Sequence, residues 1–203
     1  IPMKTYTAKN LDEALKAAAE DKNVMISDLT YTVVEESNGF LGIGSKTTIS
    51  AYCKKDICVF MKEYLQKYFN GIGMQADVEV SEQNDFYKVT LDAENNAILI
   101  GKNGQTLQSI NNVLRSAASG EFKRRVRVLI DINGYKEEKY EKVCALAKRI
   151  ARTVQRSRTD AVLDPMPADE RKVMHQEIAK MDHLKTESKG EGKNRYMTIS
   201  YVD

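Results

Sequence analysis

The chain has 203 residues, 42% hydrophobic and 30% charged with a net charge of +2, and it lacks tryptophan; this composition suits aliphatic cores in small modules rather than a large aromatic-lined pocket. No run approaches the roughly 18 apolar residues of a membrane span, no signal-peptide core opens the chain, and Cys53, Cys58 and Cys144 are neither even in number nor spaced as zinc ligands, so a soluble cytoplasmic protein with reduced thiols is expected. The charge is unevenly spread: residues 121–160 carry 12 basic and 6 acidic side chains while every other segment is slightly acidic, which fits either a local polyanion-binding surface or a solvated helix face.

Met3 reads as the initiator, after an extraneous Ile1-Pro2. Lys4 to Ala8 is extended, and Asn10 with Glu13 opens a helix over Leu11–Glu20 whose apolar positions Leu11, Ala14, Leu15 and Ala18 have helical spacing. Leu29 to Glu36 is β-rich, "NGFLGIG" is a turn, and Lys46 to Cys53 alternates as a strand, completing a βαββ module over residues 3–54.

"GFLGIGSKT" invites a nucleotide-binding reading. A phosphate-binding P-loop, however, needs its lysine directly after the second glycine and a helix behind it; Ser45 intervenes here, and a strand follows.

Ile57 to Phe69 forms a helix with Phe60, Met61, Tyr64, Leu65 and Tyr68 on one broad face, and Asn70-Gly71-Ile72-Gly73 stops it. Strands Ala76–Val80 and Phe86–Asp92, a short helix Asn95–Ile100, a helix Gln105–Ser119 and a strand Val126–Ile132 follow, giving αββααβ over residues 55–133. Gly101-Lys102-Asn103-Gly104 separates the two adjacent helices. Glycines three apart let the backbone approach a ligand without Cβ atoms, and the N–H groups opening the second helix, with Lys102, suit phosphate.

The last module, residues 134–203, opens with a long helix from Tyr135 to about Arg156. Its apolar stripe is Tyr140, Val143, Ala147, Ile150 and Val154, while Lys142, Arg149, Arg152 and Arg156 share another face. Pro167 opens a helix to about Met181, on which Arg171 and His175 lie four apart, and a hairpin closes the chain through Leu184–Ser188, "KGEG" and Arg195–Val202. The two histidines lack a third ligand at metal-like spacing, and no nucleophile and base are paired; neither a catalytic residue, a metal site nor a cofactor is expected.

These motifs carry a resemblance. Residues 57–132, with GKNG between two helices, resemble a KH domain of the type II order. The resemblance implies that Gly101, Lys102, Asn103 and Gly104 clamp the backbone of about four nucleotides, with Ile98, Ile100, Leu107 and Ile110 divided between core and groove. "MPADERKVMH" and "TESKGEGKNRYMTIS" resemble the two halves of the R-three-H domain, named for its Arg-x-x-x-His spacing. That resemblance implies contacts of Arg171 and His175 with single-stranded nucleic acid, with Lys193, Arg195 and the basic helix face nearby, although His175 could instead pack or cap. "GFLGIGSK" resembles the signature of the Jag N-terminal domain, and the three in this order resemble the Jag family, the SpoIIIJ-associated proteins, across essentially the whole chain.

Two positions depart from the family pattern: Asn103 stands where many clamps carry a second basic residue, and Ser37-Asn38 where a basic pair often precedes GFLG. The resemblance implies an α+β fold of three small modules and a non-enzymatic RNA-binding regulator linked to control of cell elongation or division. It also implies a small single-KH-domain partner of the KhpA type, a link to a membrane insertase, and room for self-association. The rival reading is a protein–protein adaptor with vestigial nucleic-acid binding.

Overall fold

The computed structural model describes residues 3–39 and 44–203; the turn expected at "NGFLGIG" lies largely outside them, at Phe40–Ile43. Over the described residues the molecule is α+β, with three three-stranded sheets, and it divides into two compact units, residues 1–133 and 134–203.

The first unit begins with β1 (Lys4–Ala8), α1 (Leu11–Lys22), β2 (Thr30–Ser37) and β3 (Lys46–Tyr52). The sheet order is β1-β3-β2, with both pairings antiparallel. Asn10 caps α1 by accepting the Glu13 N–H at 2.9 Å. Ala14, Leu15 and Ala18 then bury against Tyr6, Ile49 and Ala51, closing a small core on one face of the sheet. All eight β2 residues are exposed.

Next comes α2 (Lys54–Gly71). It starts three residues earlier than the apolar periodicity predicts because Cys53 and Asp56 close its first turn: the Cys53 N–H donates to Asp56 Oδ2 at 2.7 Å. The same carboxylate takes the Lys22 ammonium at 2.8 Å, a side chain only 8% exposed, so it ties the end of α1 to the start of α2. Asp56→Ala removes the cap and strands a nearly buried ammonium. It is expected to destabilise this unit by about 1–3 kcal/mol in urea unfolding. An unchanged midpoint would show that Lys22 is solvated in solution.

β4 (Ala76–Gln83) and β5 (Phe86–Ala93) pair antiparallel, with Gln83 opposite Phe86, and β5 pairs parallel with β6 (Arg127–Ile132). β4 runs three residues beyond the predicted end because Asn84 and Asp85, at φ 53° and 63°, make the whole turn alone. Across this sheet lie α2, α3 (Asn96–Ile100) and α4 (Gln105–Glu121), with Met61, Leu65, Phe69, Leu91, Leu114 and Ile130 fully buried. The Tyr52 ring meets Phe122 at 4.9 Å and Phe60 meets the Phe122 ring edge-on at 5.6 Å, which joins the first sheet to the second core.

The second unit comprises α5 (Tyr135–Ser157), β7 (Ala161–Val162), α6 (Ala168–Ile178), β8 (Leu184–Lys189) and β9 (Tyr196–Tyr201), with sheet order β7-β9-β8. Val143, Ala147, Ala151 and Val154 of α5 pack on Met174, Ile178, Met197 and Ile199. Two-residue β7 has no periodicity to announce it. It is held by pairing with β9, and the chain continues along the same edge as Leu163 N–H donates to Met197 O at 3.0 Å and Met166 N–H to Arg195 O at 3.1 Å.

Candidate nucleic-acid interface

The GKNG segment is a tight break between α3 and α4. Gly101 stands at φ 68°, ψ −179°, Asn103 at φ 54°, ψ 28° and Gly104 at φ 75°, ψ 15°. Gly101 is required on two counts: its φ is in the glycine region, and a Cβ there would lie 2.1 Å from Thr106 Oγ1 and 3.0 Å from the Thr106 backbone nitrogen. The missing side chain at 101 thus lets the turn pack directly on Thr106 at the start of α4, while the Lys102 and Asn103 side chains are exposed. Two N–H groups of this turn are already used, Gly104 donating to Gly101 O at 3.2 Å and Gln105 to Lys102 O. Not every N–H opening the second helix is therefore free for an anion, and the Lys102 ammonium becomes the main electrostatic element.

Of the apolar residues around the turn, Leu107 and Ile110 belong to the core at 4% and 8% exposure, whereas Ile98 is 57% exposed and Ile100 half-buried. The adjoining strand β6 lies at a sheet edge, where Ile130 N–H donates to Asn111 Oδ1 of α4 at 2.9 Å. That bond holds α4, and hence the turn at its start, against the edge strand.

In the second unit, Arg171 and His175 share one face of α6, and both are half-buried. Arg171 Nη1 donates to Met166 O at 2.6 Å, and the Met166 N–H reaches the carbonyl of Arg195, just before β9, so Arg171 and Arg195 grip the same loop residue. His175 Nδ1 is hydrogen-bonded to the Thr186 hydroxyl of β8. Both side chains thus have structural partners. Arg195 and Lys193 on the hairpin are exposed. At the start of α6, Asp169 accepts from Lys139 Nζ at 3.2 Å and from the Tyr140 hydroxyl at 3.0 Å. Burial raises the Asp169 pKa, but these hydrogen bonds outweigh it and hold the carboxyl below its ordinary value. A depressed carboxylate stabilises fully above its unfolded pKa and loses that contribution as pH falls through the folded one. This unit is therefore expected to weaken below about pH 4, and Asp169→Asn to flatten that part of a pH series of unfolding midpoints.

The basic face of α5 does not join Arg171 and His175 as expected. At about 100° per residue, Lys142, Arg149, Arg152 and Arg156 point away from the buried stripe through which α5 packs on α6 and the sheet. Lys142 is moreover paired with Glu138 at 2.7 Å, while Arg149, Arg152 and Arg156 are exposed and without an ion pair among the described residues. A further group, Lys123, Arg124, Arg125 and Arg127, between α4 and the start of β6, escaped assignment although it falls within the basic block that the charge count isolates. In the P-loop-like stretch, Lys46 opens strand β3 rather than a helix. No helix among the described residues is long and apolar enough to cross a membrane.

Comparison with known families matches residues 6–53 to the Jag N-terminus, 62–130 to the KH domain of KhpA/KhpB, and 141–201 to the R-three-H domain, none of them an enzyme family. The chain is 35% identical over 202 residues to the RNA-binding protein KhpB of Clostridium symbiosum, covering 98% of this chain and 91% of that protein. It is 33% identical over 205 residues to the RNA-binding protein KhpB of Bacillus subtilis, covering 97% of each. With all three domains matched in order and that identity sustained along nearly its whole length, the chain belongs to the KhpB family.

Proposed function

We propose that this protein is a non-enzymatic regulator that binds single-stranded RNA through the GKNG turn and, in its second unit, through Arg171, His175, Lys193 and Arg195. The observation that carries the reading is the turn itself: a glycine that admits no side chain, followed by an exposed lysine, where a helix begins. The relatives' name, RNA-binding protein, supports it. Lys193 and Arg195, exposed on the hairpin, supply phosphate contacts, while Arg171 and His175 shape the surface beside them through the Met166 and Thr186 bonds. Arg149, Arg152 and Arg156 form a separate cationic track.

The organisation we propose is a Jag module over residues 3–54, a KH domain over 55–133 and an R-three-H domain over 134–203, acting in the cytoplasm. Two weak sites on one chain raise each other's effective concentration, so each reinforces the other's hold on RNA. The KH family's name, shared between KhpA and KhpB, favours a small single-KH partner, and the family resemblance favours a role in cell elongation or division with a link to a membrane insertase. Exposed Val59, Tyr68 and Ile72 on and just beyond α2 favour protein contact and leave room for self-association, and they are what the adaptor reading would rest on.

Salt decides between regulator and adaptor, because phosphate contacts release counterions. RNA affinity measured by fluorescence anisotropy should fall linearly on a log–log plot against salt. Replacing Lys102 by Met should reduce that slope by about one phosphate contact. A slope near zero would move the function to the adaptor.

A further inference from the structure

The first module has no role in the RNA reading above, yet its free sheet face forms one wall of a cleft. The opposite face of that sheet carries α1. On the free face Thr5 of β1 and Thr32 of β2 flank Ser50 of β3, a row of three hydroxyls across the strands. Facing this row is the segment that follows α4, and the cleft between them, about 610 Å³, is lined by Thr5, Thr32 and Ser50 on one side and Phe122, Lys123 and Arg124 on the other. Its size falls within the roughly 300–1,000 Å³ of ligand sites.

Among the described residues no carboxylate lines the cleft. Lys123, Arg125 and Arg127 make no ion pair among the described residues, and Arg124 only approaches Asp85, at 3.9 Å, a carboxylate that Lys54 already holds at 3.0 Å. Its floor is the Tyr52–Phe122 ring pair. Cations on one rim, hydroxyl donors on the other and an aromatic floor match a phosphodiester backbone with a base turned inward. Met3, Tyr31 and Val34 also line it, and it is the cations of one rim, with no carboxylate of the cleft facing them, that favour a polyanion over a protein partner.

We infer that this cleft is a further single-stranded RNA site, beside the two proposed above, in which Lys123 and Arg124 contact phosphates and Thr5, Thr32 and Ser50 donate hydrogen bonds. It extends the RNA reading above and rests on it for the identity of the polymer. α4 separates the cleft from the GKNG turn by its 17 residues, about 25 Å. A strand of about four nucleotides fills the turn, and only a longer one also enters the cleft.

The test uses the full chain and oligo(U) of two lengths, about 4 and about 20 nucleotides. Lys123→Glu/Arg124→Glu is expected to weaken the long RNA about tenfold or more and leave the short one unchanged. Thr32→Glu, on an exposed edge strand where folding is not at stake, should reproduce the effect. In the Lys102→Asp/Asn103→Asp background the long RNA should retain binding that Thr32→Glu then weakens further. If both cleft variants bind long RNA as wild type does, the inference is wrong while the clamp reading stands. If only the cleft variants lose RNA, the clamp reading fails and the cleft stands. Long-RNA binding that Lys123→Glu/Arg124→Glu weakens and Thr32→Glu does not would reduce the site to surface charge and overturn the cleft.

Discussion

Replacing Lys102 and Asn103 together by aspartate is expected to lower affinity for a short single-stranded RNA by about tenfold to a hundredfold at low salt, with circular dichroism unchanged. Both side chains are exposed and neither supports the fold. The loss combines removal of one phosphate contact with two introduced negative charges where the RNA backbone must pass within a few ångströms. The residual N–H donors of the turn cannot compensate, since Gly104 and Gln105 already donate within it. Anisotropy against the wild type reads the change directly. Retained affinity with an intact spectrum would move RNA away from this turn.

Met174→Ala is expected to remove about 2–5 kcal/mol from the second unit. Met174 is 1% exposed and sits where α6 meets the α5 stripe and the inner face of the sheet, between the two positions, 171 and 175, proposed to shape RNA contact. A unit of this size has a total stability on the order of 5 kcal/mol, so the variant should populate an open form at ordinary temperature. Hydrogen exchange of α5 and β9 amides should accelerate, and long-RNA affinity should fall while the tetranucleotide response of the GKNG turn remains. If exchange in α5 and β9 were unchanged, the core described here would not hold the unit together.

The fold was legible wherever one physical signal dominated. Helical spacing located α1, α4 and α5, and β alternation located β3, β5 and β9. Periodicity failed where non-periodic groups set the boundary: the Cys53–Asp56 cap lengthened α2, the two-residue Asn84-Asp85 turn lengthened β4, and β7 exists only through its partner β9.

The proposed site was legible to the same degree. Gly101 and Gly104 could be singled out because their spacing has a local conformational meaning, and the structure gives Gly101 its reason in Thr106. That Arg171 holds Met166 and His175 holds Thr186 depends on segments distant in sequence, as does the outward aim of Arg149, Arg152 and Arg156. The basic group at residues 123–127 was visible as charge but not as a site, because its facing wall is supplied by strands some 70 residues or more earlier in the chain.

The most direct test of the central claim is photocrosslinking of a 4-thiouridine-substituted single-stranded RNA to the full-length protein, followed by peptide mapping. Crosslinks within residues 96–115, the segment spanning the GKNG turn, that disappear with Lys102→Asp/Asn103→Asp are the predicted result. Crosslinks confined to other segments, and unaffected by that variant, would contradict it.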